Sequence, residues 1–457
     1  MAYNFRRGDR DQPFLLPPDL RDWLPQGHLA WFIHDVVDQL DLAPFLAAYR
    51  ADGHGHPAYD PKMLLGVLLY AYATGVRSSR QIERRCREDL AFRVLAGNQA
   101  PDHVTIARFR ARHQHALAGF LVESLRLCAA AGLVRLGLVA LDGTKVAANA
   151  ADRANRTLAK LQEEVAEILR EAAETDQRED RQHGGLRGDE LPTELASHSG
   201  RLARLRQAKA RLEAEDAERQ RRYQQRVAQL AAAARARGRT PRAHIRPRRQ
   251  DEAPNPKAVA NTSDPDSRFL HTRNGTVQGY NAQAVVTEDQ VVVAAALTRQ
   301  ANDLQQLQPM LAAVDQTLAA ARIQERPGTL VADSGYWSIA NLTTIPDPPE
   351  LLIWPAATGR TGKPRKDGKP SASKSDGLRT AMFAKLASEQ GKACYTTRKQ
   401  TVEPVFGQLK ERQGARRFLR RGLAACEAEW RLLCGTHNLL KLWRHTHRQA
   451  APAPIGA

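Results

Sequence analysis

Two short apolar runs in this chain each end in an aspartate followed by a small residue. Residues 136–141 lead into Asp142 and Gly143, and residues 329–332 lead into Asp333. Short apolar runs bounded by turn residues predict strands that are buried within a sheet. Sites in open α/β sheets are usually built at the carboxyl ends of such strands. We therefore expect Asp142 and Asp333 to lie together at one edge of a buried sheet.

The elements around these runs predict the fold class. Residues 279–286 and 291–296 form a predicted hairpin, residues 303–321 have the apolar spacing of a helix, and residues 351–354 are a further strand. A helical C-terminal region is predicted from near Thr396. Without the inserted helices, the order is strand, strand, strand, helix, strand, strand, helix. This order predicts an α/β RNase H-like core, a mixed sheet flanked by helices, with the first and fourth strands side by side.

The first 130 residues are predicted to be an α-helical domain. Helix starts are indicated at Asp60-Pro61, at Ser79 and at Asp102, where the last helix would run on to Ala116. Short helices with tight turns favour a DNA reader of the helix-turn-helix kind. The alternative is a plain helical bundle with solvated arginines. The arginines expected to touch DNA lie on the last of these helices: Arg108, Arg110 and Arg112.

The segment after Asp142 has a different composition. Residues 155–237 are rich in Ala, Leu, Glu, Gln and Arg and are broken at Gly184-Gly185, which predicts two long helices in a coiled-coil-like hairpin. A basic, Pro-containing segment from Arg235 to Pro256 follows and can touch phosphates. The predicted domains are 1–130 (helical, DNA-binding), 131–154 (first strand of the catalytic core), 155–260 (helical insertion and basic linker), 261–445 (the rest of the core) and 446–457 (a flexible tail).

The charge of the chain narrows its class of partner. Lys and Arg total 68 against 50 Asp and Glu, giving a net charge of +18 and a pI near 10.0. This excess favours a polyanion such as DNA or RNA, although a basic enzyme of another kind would share it. The five cysteines form no CxxC pair, so we expect reduced thiols in a cytosolic protein. We expect neither a signal segment nor a membrane span.

A third acid is predicted on a late helix. Thr401 is a candidate cap and Pro404 is tolerated in a first turn, which would place Glu403 at the start of that helix. Lys410 lies seven residues further on, on roughly the same face, and can reach a phosphate. Two close aspartates repel unless a cation joins them, and Mg²⁺ prefers oxygen ligands. Asp142, Asp333 and Glu403 therefore predict a metal site, although each acid alone is more often a cap or a surface charge.

Three blocks carry a resemblance to a known family. They are LDGTK at residues 141–145, ADSGY at 332–336 and VEPVFGQLK at 402–410. These blocks resemble the catalytic motifs of bacterial insertion-sequence DDE transposases, and the chain is most similar to the insertion sequence 1182 family. The resemblance covers nearly the whole chain and weakens in the inserted helices and in the last dozen residues.

The resemblance implies an activity and its requirements. Asp142, Asp333 and Glu403 would be the catalytic acids and the ligands of two Mg²⁺ ions, or of Mn²⁺. The reaction would be cleavage at the ends of the element, followed by attack of the 3′-hydroxyl on target DNA. The partners would be double-stranded DNA, namely the terminal inverted repeats and the target, and a second copy of the chain, since paired ends need two sites. The setting would be the nucleoid in a bacterial cytoplasm.

Residues around Glu403 would contact the DNA. Related transposases carry a Tyr-x2-Arg-x3-Glu-x6-Lys signature, which Tyr395, Arg398, Glu403 and Lys410 match except that Arg398 and Glu403 are one residue further apart. An arginine cluster follows this helix and favours contact with the DNA backbone over a solvated face. Its members include Arg416 and Arg417.

Several side chains have competing interpretations. Trp354 ends the predicted strand 351–354, follows the second aspartate in the chain and can stack on an unpaired base, although packing in the core is commoner. Asp264 and Asp266 favour a turn over a part in the acidic site, and His437 favours burial over a ligand role. Two functions compete with transposition: a metal-dependent nuclease that cuts without joining, and a DNA-binding scaffold that has lost catalysis.

Overall fold

A six-stranded mixed sheet lies at the centre of the protein. The computed structural model describes residues 19–49, 57–183, 193–241, 258–272, 275–355 and 374–450. The strands are β1 (Leu138–Ala147), β2 (Asn155–Thr157), β3 (Val259–Asn261), β4 (Arg268–Thr272), β5 (Gly275–Thr287), β6 (Val292–Thr298), β7 (Thr329–Ala332) and β8 (Glu350–Ile353). The main sheet has the order β4-β5-β1-β7-β8, with β6 also paired to β5, while β2 and β3 form a separate small sheet.

The pairing of β1 positions the predicted acids. β1 runs parallel to β7 from Leu138↔Thr329 to Leu141↔Ala332, so the expected neighbourhood of the first and fourth predicted strands is confirmed. On its other side, β1 pairs antiparallel with β5 as far as Ala147↔Gly279. Asp142 therefore lies in the middle of β1, not at its tip as predicted. The strand continues because β5 still pairs with it where β7 has ended.

Helices flank this sheet and form the N-terminal region. They are α1 (Leu29–Asp38), α2 (Ala43–Leu46), α3 (Pro61–Ala73), α4 (Ser79–Glu88), α5 (Leu90–Leu95), α6 (His103–Arg112), α7 (Gln114–Ala130), α8 (Leu158–His183), α9 (Thr193–Ala236), α10 (Leu307–Ala320), α11 (Ile339–Thr343), α12 (Lys374–Ala387), α13 (Glu389–Gly407) and α14 (Leu423–Ala450). The caps predicted at Asp60 and Asp102 are confirmed, since both carboxylates accept backbone N–H groups. The predicted helix from Asp102 to Ala116 is broken at His113 into α6 and α7.

α14 is fastened to the sheet by buried polar side chains. Asn438 accepts the N–H of Val292 at 2.8 Å and donates to the carbonyl of the same residue at 2.9 Å, so it continues the edge of β6. His437 Nε2 lies 2.9 Å from Gln290 O and is 1% exposed. The prediction of a buried histidine with its hydrogen bond satisfied is therefore confirmed.

The N-terminal helices are joined to the core by a buried ion pair. Arg77, which precedes α4, lies 3.5 Å from the Glu429 carboxylate of α14, and both side chains are almost fully buried. Glu429 also accepts the backbone N–H groups of Leu419 and Arg420. Arg77 donates to the carbonyl of Arg417 as well. A buried charge needs such partners, so the two regions share one polar network.

The insertion between β1 and β4 contains the two predicted helices, α8 and α9. They pack around a small cluster that includes Leu161, Val165, Leu205 and Leu212. Whether they supercoil as a coiled coil stays a prediction. Most of the predicted basic linker and the end of the predicted tail lie outside the described residues. Among the helices that are described, none is both long enough and apolar enough to cross a membrane.

Candidate active site

Asp142 and Asp333 come together on neighbouring strands. Leu141 on β1 is paired with Ala332 on β7, and each aspartate is the next residue along its strand direction. Asp142 Oδ1 accepts the Gly143 N–H at 2.7 Å, and Asp333 Oδ1 accepts the Gly335 N–H at 2.8 Å. Both carboxylates are only partly exposed. The juxtaposition expected from the two apolar runs is therefore present.

A third carboxylate, which the sequence reasoning missed, lies beside this pair. Asp303 lies between β6 and α10 and reaches the backbone on both sides of the site. A Cβ added to Gly143 would lie 2.8 Å from Asp303 Oδ1, and one added to Gly335 would lie 3.4 Å from Asp303 Oδ2. The available signal was an acid that follows a strand by a few residues. It was hidden because Asp303 was assigned to the start of a helix, which begins at Leu307 instead.

The site concentrates negative charge in a poorly solvated place. The pKa of Asp142 is raised to about 6, first by burial and then by the carboxylates of Asp333 and Asp303, while the Gly143 N–H and Arg398 act in the lowering direction. Burial lowers the pKa of Lys145, whose Nζ lies 3.8 Å from Asp303 Oδ1. Like charges at this range repel and favour a cation between them.

Two buried amides hold Asp303. Asn281 Nδ2 and Gln283 Nε2, which point from β5 into the same pocket, each donate to Asp303 Oδ1 at 2.7 Å. The hydroxyl of Tyr336 donates to Gln283 Oε1 and so holds that amide in turn. Asn281 Oδ1 has no hydrogen-bond partner although Asn281 is 0% exposed. An unpaired buried carbonyl oxygen is costly, so this atom is a vacant acceptor beside the acids.

The helix that carries Glu403 differs from the prediction. α13 begins after Ser388, which caps it, so Glu403 and Pro404 lie in its interior and not in a first turn at Thr401. Proline has no N–H and leaves the carbonyl four residues earlier without its helical donor. Here that carbonyl belongs to Gln400, and Gln290 Nε2 donates to it at 3.1 Å. A side chain from the turn between β5 and β6 thus compensates the interior proline.

Glu403 is not bonded to the two aspartates in the described part of the chain. Its side chain is exposed, and no hydrogen bond or ion pair among the described residues links it to Asp142 or Asp333. In the described part of the chain, no three His, Cys, Asp or Glu side chains are already arranged to hold a metal ion. The role of Glu403 as a ligand stays a prediction.

Other predicted residues of α13, and Lys410 in the π-helical turn that follows it, do reach the site. Arg398 Nη1 lies 3.2 Å from Asp142 Oδ2. Lys410 Nζ donates to Thr144 Oγ1 at 2.6 Å, next to Asp142 on β1. The ring of Tyr395 is 5.9 Å from that of Trp354, which directly follows β8 and is 48% exposed. Trp354 is therefore partly available for stacking and is not a core residue.

The remaining predicted DNA contacts lie on two surfaces. Arg416 pairs with Glu411 at 2.5 Å and is well exposed, as is Arg417. On α6, Arg108 is exposed and Arg112 lies over the ring of Tyr49 at 5.0 Å. Arg110 is half-buried and donates to the carbonyl of Arg77 at 2.8 Å, so it has an internal role.

Two stretches of the chain match known family models. Residues 18–112 match the model described as Transposase domain (DUF772), and residues 363–443 match the model described as Transposase DDE domain. The second match includes Glu403 and Lys410 but not Asp142 or Asp333. No curated protein and no solved structure matches the chain.

The two matches support an insertion-sequence DDE transposase, an enzyme of DNA recombination. A DDE domain implies an RNase H-like fold, and the mixed sheet flanked by helices agrees with it. Transposases act on DNA, which is consistent with the net charge of +18. Enzymes with this domain normally use a divalent metal ion.

Proposed function

We propose that this protein cleaves DNA at the ends of an insertion sequence and transfers the 3′-hydroxyl ends into target DNA, in the manner of the insertion sequence 1182 family. The observation that carries the proposal is the placement of Asp142 and Asp333 on adjacent parallel strands, in a chain whose two ends match transposase domains. The same proposal places the reaction on nucleoid DNA in a bacterial cytoplasm. It also calls for a homodimer, because two element ends must be processed together.

The chemistry of the donors fits a divalent metal ion. Carboxylates are gathered beside a buried carbonyl oxygen, that of Asn281, which has no partner among the described residues. Hard cations such as Mg²⁺ and Mn²⁺ take oxygen ligands of this kind. Asp142 and Asp333 would hold the ions, and Glu403 is the further ligand that we propose from α13. When bound, a pair of such ions activates the attacking hydroxyl and stabilises the leaving oxygen of a phosphodiester.

The cationic side chains of the site would bind and orient the DNA strand. Arg398 on α13 and Lys410 in the π-helical turn that follows it both reach β1, so both flank the backbone at Asp142. An arginine can grip a phosphate with two N–H groups, and a lysine supplies a point charge. Asp333 and Trp354 directly follow the paired residues Ala332 and Ile353, so they lie side by side at the ends of β7 and β8. On the N-terminal side, we propose that Arg108 on the exposed face of α6 contacts DNA.

The test is a reaction with labelled element ends. Purified protein, Mg²⁺ and a duplex carrying the terminal repeat should yield cut ends with free 3′-hydroxyls and then joined products. Asp142→Asn and Asp333→Asn should each lose cleavage while DNA binding is retained. Asp315→Asn is the matched control, since Asp315 lies on the exposed side of α10 and pairs with Arg326. Cut ends that are never joined would refute strand transfer and leave a nuclease.

A further inference from the structure

We infer that Asp303 is a metal-binding carboxylate of the site, which holds a divalent cation together with Asp142 and Asp333. This inference rests on the proposed metal-dependent reaction and adds to it a residue outside the three resembling blocks. Asp303 comes from the turn after β6, so the antiparallel half of the sheet would contribute a ligand alongside β1 and β7.

Asp303 is placed where it can share an ion with both aspartates. Its Oδ2 atom and Asp333 Oδ1 both face Gly335, where an added Cβ would lie 3.4 and 2.9 Å from them. Its Oδ1 atom faces Gly143, the neighbour of Asp142, at 2.8 Å from an added Cβ. The two glycines thus leave open the space that Asp303 shares with each aspartate.

Asp303 is also held in the manner of a metal ligand. Asn281 and Gln283 both donate to Oδ1, and the side chain is 19% exposed. No hydrogen bond among the described residues involves Oδ2, the oxygen on the side of Asp333. Ligating carboxylates are commonly fixed in this way, with an outer hydrogen bond on one oxygen that orients the other for the ion.

An independent observation is the vacant acceptor on Asn281. Its Nδ2 donates to Gln300 O at 3.2 Å and to Asp303 Oδ1 at 2.7 Å, so the amide cannot be turned around without losing both bonds. Its Oδ1 then faces the open space at Gly143, at 2.9 Å from an added Cβ. A cation, or a water molecule bound to it, would satisfy this oxygen.

Two cationic side chains neutralise the acids in the structure as it stands. Arg398 Nη1 is 3.2 Å from Asp142, and Lys145 Nζ is 3.8 Å from Asp303. Both cationic groups lie at the ends of long, flexible side chains, so a divalent ion can replace them without movement of the backbone. Among the described residues, no three acidic, His or Cys side chains are arranged around one point, so binding of an ion would require these acids to turn towards it.

A purely structural role is the competing explanation. Asp303 would then only receive the two amides and support the turn in which the Gln306 N–H donates to its carbonyl at 2.9 Å. A structural carboxylate stabilises the fold but gives no signal that depends on metal. The two explanations therefore separate in metal binding measured without DNA.

The first measurement is a titration of the full-length protein with Mn²⁺. Asp303→Asn should weaken Mn²⁺ binding at least about tenfold, as should Asp142→Asn, while Asp315→Asn should bind like the wild type. Thermal unfolding without metal reports on the fold of each variant. A folded Asp303→Asn protein with unchanged Mn²⁺ affinity would overturn the inference.

The second measurement gives the site a spectroscopic marker. Asp303→Cys should bind Cd²⁺ with a thiolate-to-metal charge-transfer band, because thiolates prefer soft cations. Asp315→Cys should add no band beyond the wild-type background from Cys394, which is the partly exposed cysteine of α13. Adding Asp142→Asn to Asp303→Cys should weaken Cd²⁺ binding, and an unchanged affinity would show that the thiolate does not share a site with Asp142.

A third measurement needs no variant. Iron(II) bound in place of Mg²⁺, with ascorbate and peroxide, should cut the wild-type backbone near residues 142, 303 and 333. Cuts at 142 and 333 without one near 303 would overturn the inference. These outcomes also test the proposed function separately. If metal binding depends on Asp303 but no joined DNA forms, transposition alone is refuted. If joined DNA forms but metal binding does not depend on Asp303, this inference alone is refuted.

Discussion

Gly143 lies against three polar side chains of the site, so even one added methyl group should disturb their packing. A Cβ there would overlap Gln283 Nε2 and would lie 2.8 Å from Asp303 Oδ1 and 2.9 Å from Asn281 Oδ1. The amides of Asn281 and Gln283 both donate to Asp303 Oδ1, so none of the three side chains can give way alone. Gly143→Ala should therefore cost about 1–3 kcal/mol of unfolding free energy, as overpacking does elsewhere.

The effect on catalysis should exceed the effect on stability. Relief of the overlap must move Gln283 or β1, and β1 carries Asp142. A displacement of about 1 Å in a reacting group can lower a rate about 10²-fold. We expect Gly143→Ala to lower the rate of end cleavage by that order, measured under conditions where the variant is fully folded.

Gly137→Ala is the matched control for this prediction. It lies just before β1, and an added Cβ would meet nothing within 4 Å. Urea unfolding and the cleavage assay should both give wild-type values for it. If Gly143→Ala matched Gly137→Ala in both assays, the packing of the three polar side chains would not require a glycine at position 143.

Three further predictions concern buried charge and DNA contact. Burial lowers the pKa of His437 from 6.5 to about 4, so between those values the folded state binds fewer protons than the unfolded state. The free energy of unfolding should therefore fall by about 3 kcal/mol as the pH drops through that window. In His437→Gln, the urea midpoint should lack this dependence on pH. Arg77→Met leaves Glu429 buried without its ion pair and should lower the free energy of unfolding in urea by about 3–5 kcal/mol. Arg135→Met, which breaks an exposed ion pair, should lower it by less than about 1 kcal/mol. Similar losses for the two variants would contradict a stabilising role for the buried pair. Lys410→Gln should weaken binding to end DNA and reduce its salt dependence by about one counterion, and an unchanged salt slope in a binding titration would exclude a phosphate contact.

Much of the site was predictable because its signal is local. Asp142 and Asp333 each follow an apolar run, and such runs predict buried strands. The order of the elements along the chain then predicts that these two strands are neighbours in the sheet. The length of β1 was not predictable in this way. Residues 143–147 are mixed in character and become a strand because β5 pairs with them across the chain.

The errors share a physical cause, which is compensation by distant residues. Pro404 suggested a helix start because an interior proline is unfavourable, and only Gln290, more than a hundred residues earlier, makes the interior position tolerable. Asp303 was assigned to the start of a predicted helix, and its amide partners Asn281 and Gln283 lie on the distant strand β5. Local patterns cannot report such partners.

The buried network around Arg77 and Glu429 has a consequence for how such an enzyme would measure DNA. Arg420, which precedes α14, also donates to the carbonyl of Arg110 on α6 at 3.1 Å, so two separate contacts cross the boundary between the N-terminal helices and the core. If α6 binds the terminal repeat, these buried contacts, and not a flexible tether, set the distance from the repeat to the acids. The spacing between the bound repeat and the cleavage point would then be fixed. Added base pairs between the repeat and the cleavage point should abolish cutting, where a tethered enzyme would tolerate them.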